Sequence, residues 1–483
     1  MRKCQEFYID GQWVAASAAA RQFEVVNPAT EEISGVVALA TIAETERAIE
    51  AAARAFPAYA ALPLASRLDL LAAICAGYER RQDEIADAIT EEMGAPLEKL
   101  AKPAQAASGL GHFKTTLRLA KDYAWETPIG ATTRVLKEPV GVCSLITPWN
   151  WPLNQIACKV APALAVGCTM VLKPSEFAPY SAKILAEIIA EAGVPAGVFN
   201  MIYGDGPEIG PVLASHPLVD MVSLTGSTMA GVSVSQQAAP SVKKVSLELG
   251  GKSANILCPS ADFKRAANFA VRAMMGNTGQ SCNAPSRLLV PYDRLEEVEA
   301  VAAEACAAIV VGDPRDPKTS MGPLANRRQF DKVNRLIQVG IDEGAKLVSG
   351  GPGRPEGLER GFFVRPTVFS RTDDAMTIIR EEIFGPVLAI RPYVTLDEAI
   401  ASANDCEYGL SGYVTSADLD EARAVARRLR TGMVHINGAP SDNKAPFGGY
   451  KKSGLGREWG AAGLDEFVET KAVMGYEAPP PKG

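Results

Sequence analysis

From Val140 onward the chain alternates short, almost wholly apolar runs with stretches of helical periodicity, and this alternation restricts the fold more than any other feature. VGVCSLITPW reads as a strand and LNQIACKVAPALAVG as a helix; TMVLKPSE reads as a strand ending in a turn, followed by the helix SAKILAEIIAEAG. VFNMIYG, MVSLTGS and KVSLELGG repeat the theme, and a second series runs through ANILCPS, RLLVPY, FFVRPTVF, VLAIRPY, GYVTS and GMVHIN. Strands without polar alternation are buried on both faces. With helices of about 10–15 residues between them, they imply βαβ units around parallel sheets, joined by right-handed crossovers. The fold class expected is α/β, in two successive units.

The first 120 residues read as helix-rich, and their alanine content suits helices that cover a sheet rather than a separate bundle. TTRVLKEPV, after a turn-like ETPIG, reads as an exposed strand, and the C-terminal FVETKAVMGYE as another. Neither has a place in the two main sheets; solvated surface strands and an oligomer-forming edge both remain open on pattern alone. The final PPPKG reads as a loose tail.

Composition removes several function classes. The 483 residues carry a net charge of −7 with no basic block, which argues against nucleic acid as a partner. MRKCQEFYIDGQWV has no signal-peptide core, and no run approaches the roughly 18 apolar residues of a membrane span, so a cytoplasmic protein is expected. Nine cysteines form no CxxC pair, and the three histidines, His112, His216 and His435, are scattered, so no metal site is expected. Most cysteines sit in apolar runs and read as small buried hydrophobes. Cys282, in GNTGQSCNAPSR, does not.

Four features fall at the ends of predicted strands, where open α/β sheets place ligands: TPWN at 147–150, KPSE at 173–176, TGS at 225–227 and LELGG at 247–251. EEIFGP at 381–386 and PFGGYKKSGLGRE at 446–458 join them and the cysteine loop. Each alone has an ordinary explanation: a Pro-Trp pair closes a strand, KPSE makes a turn, Glu248 forms a salt bridge. Taken in this order, with Glu248 and Cys282 at their observed spacing, the set resembles the aldehyde dehydrogenase superfamily, of the NAD(P)-dependent, non-phosphorylating, hydrolytic type, over essentially the whole chain.

The resemblance implies a Rossmann-like cofactor domain (1–120 and 140–250), an α/β catalytic domain (251–452) and a small β extension for oligomerisation (121–139 and 463–483). Cys282 would be the nucleophile, its thiolate stabilised by a polar, NH-rich loop or by the positive nicotinamide ring of the cofactor, because a free thiol is only a few per cent ionised at neutral pH. Asn150 and the Cys282 N–H would hold the oxyanion, and Glu248 would be the base that hydrolyses the thioester. A GxGxxG fingerprint is missing, since GDGPEIG has the wrong spacing. In its place the resemblance gives NAD, with NADP possible, to Thr147, Pro148, Trp149, Lys173, Ser175, Glu176, Gly206, Gly210, Gly226, Ser227, Gly231, Leu249, Gly250, Glu382 and Phe384. Glu176 favours NAD, because a carboxylate at the adenosine ribose repels a 2′-phosphate.

By family position the aldehyde would meet Trp151, Asn154, Gln155, Cys158, Ser281, Asn283 and Phe447. Flat apolar walls suit aromatic or medium-chain aliphatic aldehydes, whereas the polar members leave a semialdehyde open. Gly276, where a bulkier wall residue can stand, suggests a roomier tunnel. A homodimer or homotetramer is expected. Two competing readings are a cofactor-independent thiol esterase using Cys282 and Glu248, and a catalytically silent protein of the same fold; the latter is disfavoured because Cys282, Glu248 and Asn150 are all present.

Overall fold

The structure is a computed structural model that describes residues 1–478; the PPPKG tail lies outside the described residues. Two mixed sheets dominate. In the larger, five parallel strands stand in the order Lys244–Glu248, Met221–Thr225, Val142–Ile146, Thr169–Lys173 and Phe199–Met201. Every residue of Met221–Thr225 and of Thr169–Lys173 is buried, as expected of strands covered on both faces. The helix Pro152–Val166 is buried along its whole length, and a helix apolar on all sides belongs in a core. Pro152 opens it with a preset φ, and Gly167, at φ 108°, closes it.

The second sheet runs Thr367–Ser370, Val387–Tyr393, Arg287–Pro291, Ala254–Leu257, Ser411–Thr415 and Met433–Ile436, all parallel, with Lys346–Ser349 antiparallel at one edge. The α/β reading therefore holds. Helix Ile42–Ala60 lies against the larger sheet, as its alanine content suggested.

Two sequence expectations need correction. The N-terminal region begins with five strands, Arg2–Cys4, Glu6–Ile9, Gln12–Ala15, Arg21–Asn27 and Glu32–Leu39, before its first helix. The second and third form a hairpin around Asp10-Gly11, both at positive φ (55° and 76°), and add two antiparallel strands to the edge of the larger sheet. ETPIG is not a turn: Glu126–Ile129 is an exposed strand paired with Thr133–Pro139, which also pairs with Val468–Val473. Pro128 is tolerated because the strand is at an edge.

The two main sheets are stitched together beside the site. Gly454–Leu455 pairs antiparallel with the end of Lys244–Glu248. Only glycine permits this approach, since a Cβ at Gly454 would lie 1.9 Å from Leu247 O. Next to it, Leu249 N–H donates to Ser453 O (2.9 Å), while Ser453 Oγ donates to Gly250 O (2.7 Å) and accepts from Gly409 N–H (2.9 Å).

Candidate active site

The Cys282 loop follows helix Phe263–Met275 through three consecutive left-handed residues, Asn277, Thr278 and Gly279 (φ 50°, 56° and 70°). Two of them are not glycine, and such conformations cost about 1–3 kcal/mol each unless the surroundings impose them. Here they do. Asn277 Nδ2 donates to Asn150 O and Gln280 O (3.0 and 3.1 Å), Gln105 Nε2 donates to Asn277 Oδ1 (3.1 Å), and Thr278 Oγ1 donates to Gly322 O (3.1 Å). A Cβ at Gly251 would lie 2.3 Å from Cys282 O, and one at Gly279 2.1 Å from Gly385 O. The loop is thus wedged between LELGG and EEIFGP. Of nine cysteines, only Cys282 and Cys406 are half-buried and the other seven fully buried, so Cys282 is less singular than the sequence suggests.

A cavity of about 190 Å³ lies at the carboxyl ends of the parallel strands, and Cys282, Glu248 and Asn150 all line it. So do Pro148, Trp149, Gln155, Thr225, Gly226, Ser227, Leu249, Gly250, Glu382 and Phe384. Gln329 and Lys332, which the sequence reading missed, complete one wall from helix Arg327–Asp342.

This lining fits a dinucleotide. Ser227 caps helix Thr228–Ala238 by accepting from Ala230 N–H (3.2 Å), so Gly226 and Ser227 present a helix N-terminus to the cavity. Glu382 accepts from Gly251 N–H (2.8 Å), and a Cβ at Gly250 would lie 2.5 Å from Glu382 Oε2, so the glycine leaves that carboxylate its place. Phe384 meets Trp149 edge-on at 5.7 Å. Thr225 Oγ1 is buried with no partner among the described residues.

The other residues assigned to the cofactor lie off this cavity. Lys173 and Glu176 pair at 3.1 Å beyond the strand end; Ser175 is buried beside them, and Thr147 N–H donates to Lys173 O (3.1 Å). Gly206 and Gly210 sit on helix Gly206–Ser215 with open space at both Cβ positions. Gly231 serves packing, since a Cβ there would stand 2.7 Å from Leu249 Cδ1.

Electrostatics bear on the two expected ways of stabilising the thiolate, the loop and the nicotinamide ring. Burial, with Glu382 and Glu248 nearby, pushes the Cys282 thiol well above its ordinary value, and the N–H groups of Asn283 and Cys282 only partly oppose this. The loop by itself does not make a thiolate. Glu248 is 2% exposed, and neither carboxylate oxygen has a partner among the described residues. Burial first, then Glu458, raises its carboxyl well above the usual range, with Lys159 and Arg457 opposing. Asn150 donates from Nδ2 to Gln280 O (2.9 Å), which orients the amide and leaves its second N–H free.

Behind Glu248 lies a buried ion pair that joins Glu458, the end of the 446–458 motif, to Lys159, which no motif marked. Lys159 Nζ bonds Glu458 Oε1 and donates to Ser223 Oγ (2.9 Å), and the Cys158 thiol donates to Glu458 Oε2 (3.1 Å). Burial works against the Lys159 charge, but Glu458 carries the ammonium above its ordinary value. Cys158, assigned to the aldehyde tunnel, is 3% exposed and turned into this pair.

The remaining tunnel residues form a second group. Trp151 Nε1 donates to Ser281 Oγ (2.8 Å), and Asn154 Nδ2 contacts His112 Nε2 (3.0 Å). Phe447 lies 4.5 Å from Trp459, and His112 lies 5.0 Å from the same indole. His112 and Trp459 were missed; burial holds the imidazole neutral, down to about 3. Asn283 is half-buried and engaged through its carbonyl by Tyr413 OH (2.8 Å). No atom stands within 4 Å of a Cβ built at Gly276.

The comparisons with known proteins agree with one another. The sequence profile described as the aldehyde dehydrogenase family matches residues 13–473. A 3-succinoylsemialdehyde-pyridine dehydrogenase from Pseudomonas sp. is 60% identical over 477 residues, covering 99% of this chain and 100% of the relative. Among solved structures, a cysteine-to-alanine mutant of aldehyde dehydrogenase C from Pseudomonas syringae, in complex with NAD+ and octanal, superposes with a TM-score of 0.97 at 50% identity, over 99% of this chain and 98% of that one. A Mycobacterium tuberculosis aldehyde dehydrogenase in complex with NAD+ gives 0.95 at 39% identity, over 100% and 99%.

Proposed function

The chain belongs to the aldehyde dehydrogenase family, and from that premise we propose that it oxidises an aldehyde with an aromatic or medium-chain aliphatic body to the carboxylic acid, with NAD as cofactor. The observation that carries the reading is the meeting of Cys282, Glu248 and Asn150 on one cavity with Glu382 and Phe384.

Cys282 gives up its thiol proton to solvent, and Sγ adds to the aldehyde carbon as the C=O π bond opens onto oxygen. The oxyanion that results accepts from the free N–H of Asn150 and from the Cys282 backbone N–H. Glu382, Phe384, Trp149 and the Gly226–Ser227 helix start would hold the nicotinamide end of the cofactor, which would supply the two-electron hydride acceptor that this oxidation needs. Glu248 then takes a proton from water as the water attacks, and Cys282 leaves as the thiol. The buried, unpartnered carboxyl of Glu248 is suited to this, because its raised pKa makes it a stronger base once ionised. Lys173 and Glu176 are assigned to the adenosine ribose, which favours NAD over NADP.

The aromatic group of Trp151, Phe447, Trp459 and His112 supports the substrate class. The relative's name, joining a pyridine to a semialdehyde, supports a second reading in which Asn154 or Asn283 meets a polar group further along the chain. The exposed strand Glu126–Ile129 supports a homodimer or homotetramer built on the three-stranded sheet.

The test is NADH formation by the purified protein with benzaldehydes, pyridyl aldehydes, straight-chain aldehydes and semialdehydes, each run with NAD and with NADP. NAD-dependent turnover is expected to peak on the aromatic or longer aliphatic members. A peak on short semialdehydes refutes the substrate class, and no turnover of any aldehyde with either cofactor, beside hydrolysis of an ester without one, refutes the dehydrogenase reading.

A further inference from the structure

Cys282 and Asn283 are the central residues of a turn in which Ala284 N–H donates to Ser281 O (3.0 Å). Side chains hold this turn on both sides of the thiol. Trp151 Nε1 donates to Ser281 Oγ (2.8 Å), and Tyr413 OH donates to Asn283 O (2.8 Å). Trp151 comes from the start of helix Pro152–Val166, Tyr413 from the strand Ser411–Thr415 of the second sheet. Cys282 O is packed close against Gly251, where a Cβ would stand 2.3 Å from it.

Tyr413 is itself fixed. It is the register partner of His435 on the neighbouring parallel strand Met433–Ile436, so both side chains leave the same face of the sheet. The two rings stack, with centroids 4.7 Å apart and planes 14° from parallel. His435 Nδ1 donates to Ala439 O (2.9 Å), which sets the plane of the imidazole on which the phenol lies. Burial, opposed by Ser411 and aided by Cys282, pushes the phenol up to about 12, so the hydroxyl stays a donor at neutral pH.

We propose that Tyr413 is a positioning residue for the nucleophile: its hydroxyl, aimed by the stacked His435, keeps the Ser281–Ala284 turn seated on Gly251 with the Asn283 N–H directed at Cys282 Sγ. The thiol depends on that N–H. Burial, then Glu382 and Glu248, raise it, and the N–H groups of Asn283 and Cys282 are what oppose the rise. An N–H favours a thiolate only while it points at the sulfur. Gly251 supports the peptide that carries the Asn283 N–H, and Tyr413 ties down the next one, so the turn is held at two successive peptides. The inference rests on Cys282 being the nucleophile, and not on which aldehyde is oxidised.

The test uses the full chain without cofactor. Alkylation of Cys282 is followed by peptide mass at a series of pH values, with iodoacetamide and with the bulkier N-ethylmaleimide. Tyr413→Phe keeps the ring and removes only the hydroxyl. Its rate should rise at higher pH than the parent's, and at neutral pH it should be about two- to tenfold slower, the worth of one hydrogen bond, by the same factor for both reagents. Partial unfolding alone lowers the fraction of native protein and does not displace the pH profile of what remains. kcat/KM for the aldehyde should fall by a similar factor while KM for NAD holds. His435→Phe keeps a flat ring against the phenol and should retain the parental profile. His435→Ala removes the stack, should displace the profile in the same direction, and serves if Tyr413→Phe does not fold. Superimposable profiles for Tyr413→Phe and the parent overturn the proposal, and so does slowing of N-ethylmaleimide alone, which marks altered access. Aldehyde oxidation by Cys282→Ala is a separate result: it overturns the nucleophile assignment on which the proposal rests.

Discussion

Replacing Glu248 by glutamine separates chemistry from folding because the two respond in opposite directions. The side chain is 2% exposed and makes no hydrogen bond with the described residues, so Glu248→Gln removes no contact and keeps the volume. What it removes is the base. Loss of a general base costs about 10²–10⁴-fold, which converts to about 2.7–5.4 kcal/mol of barrier on thioester hydrolysis. Acylation does not need this carboxyl, so the variant is expected to release about one NADH per active site in a burst and then turn over slowly. The acyl group should be found by mass on Cys282, with Cys282→Ala as the blank. Stability moves the other way. The folded-state pKa of Glu248 is raised above the unfolded value of about 4.3. Its contribution is therefore intact below that value and lost as pH rises through the folded pKa. At neutral pH the glutamine variant should unfold at the same temperature as the parent or higher. A steady-state loss below tenfold, or a slow variant with no burst, refutes the assignment of Glu248 as the deacylating base.

Three further outcomes follow from the same geometry. Because burial and two carboxylates hold the Cys282 thiol up, its alkylation by iodoacetamide should be slow at neutral pH, accelerate toward alkaline pH, and speed up when NAD⁺ brings its positive ring; followed by mass, a flat pH profile would disprove the raised thiol. Lys159→Met strands Glu458 in a site where the two side chains are 1% and 5% exposed. It should cost about 3–5 kcal/mol in denaturant unfolding, whereas Lys159→Met with Glu458→Leu should recover most of that loss. Trp459→Ala removes the ring shared by Phe447 and His112; KM for aromatic and medium-chain aldehydes should rise, while acetaldehyde kinetics stay within a few-fold.

The two main sheets were legible because their strands carry unbroken apolar runs, and their ends were legible because Pro, Gly and small polar residues mark the turns where ligands bind. The N-terminal strands escaped because three of them have only three or four residues and the longer Arg21–Asn27 and Glu32–Leu39 carry charged or polar residues among the apolar ones. Yet Asp10-Gly11 between EFYI and QWVA is a strong local hairpin signal, and it was available. ETPI escaped because a proline in a four-residue run reads as a turn until a neighbouring strand is known. In the site, the reacting residues on motifs were found, while Gln105, Gln329, Lys332 and Lys159 lie on none, and Asn277, Gln280 and Glu458 stand in quoted motifs without their contacts being legible. These act through contacts between distant segments: Lys159 and Glu458 meet from separate helix and loop contexts, and no local pattern encodes that meeting. Cys158 shows the converse, a residue placed by family position whose thiol the ion pair has claimed.

The pairing of Gly454–Leu455 with the strand of Glu248, and the hydrogen bonds that tie Ser453 to Leu249, Gly250 and Gly409, have a mechanical consequence. A cleft between two α/β units ordinarily works like a jaw, opening to admit ligands and shutting to expel water. Here the jaw is riveted within a few residues of its own teeth: opening it would tear the ladder that holds the base in register. Access to the cavity that Cys282 lines must instead come from movements of the side chains and short loops around it. Turnover would then be paced by rotamers and short loops rather than by the swing of one unit against the other.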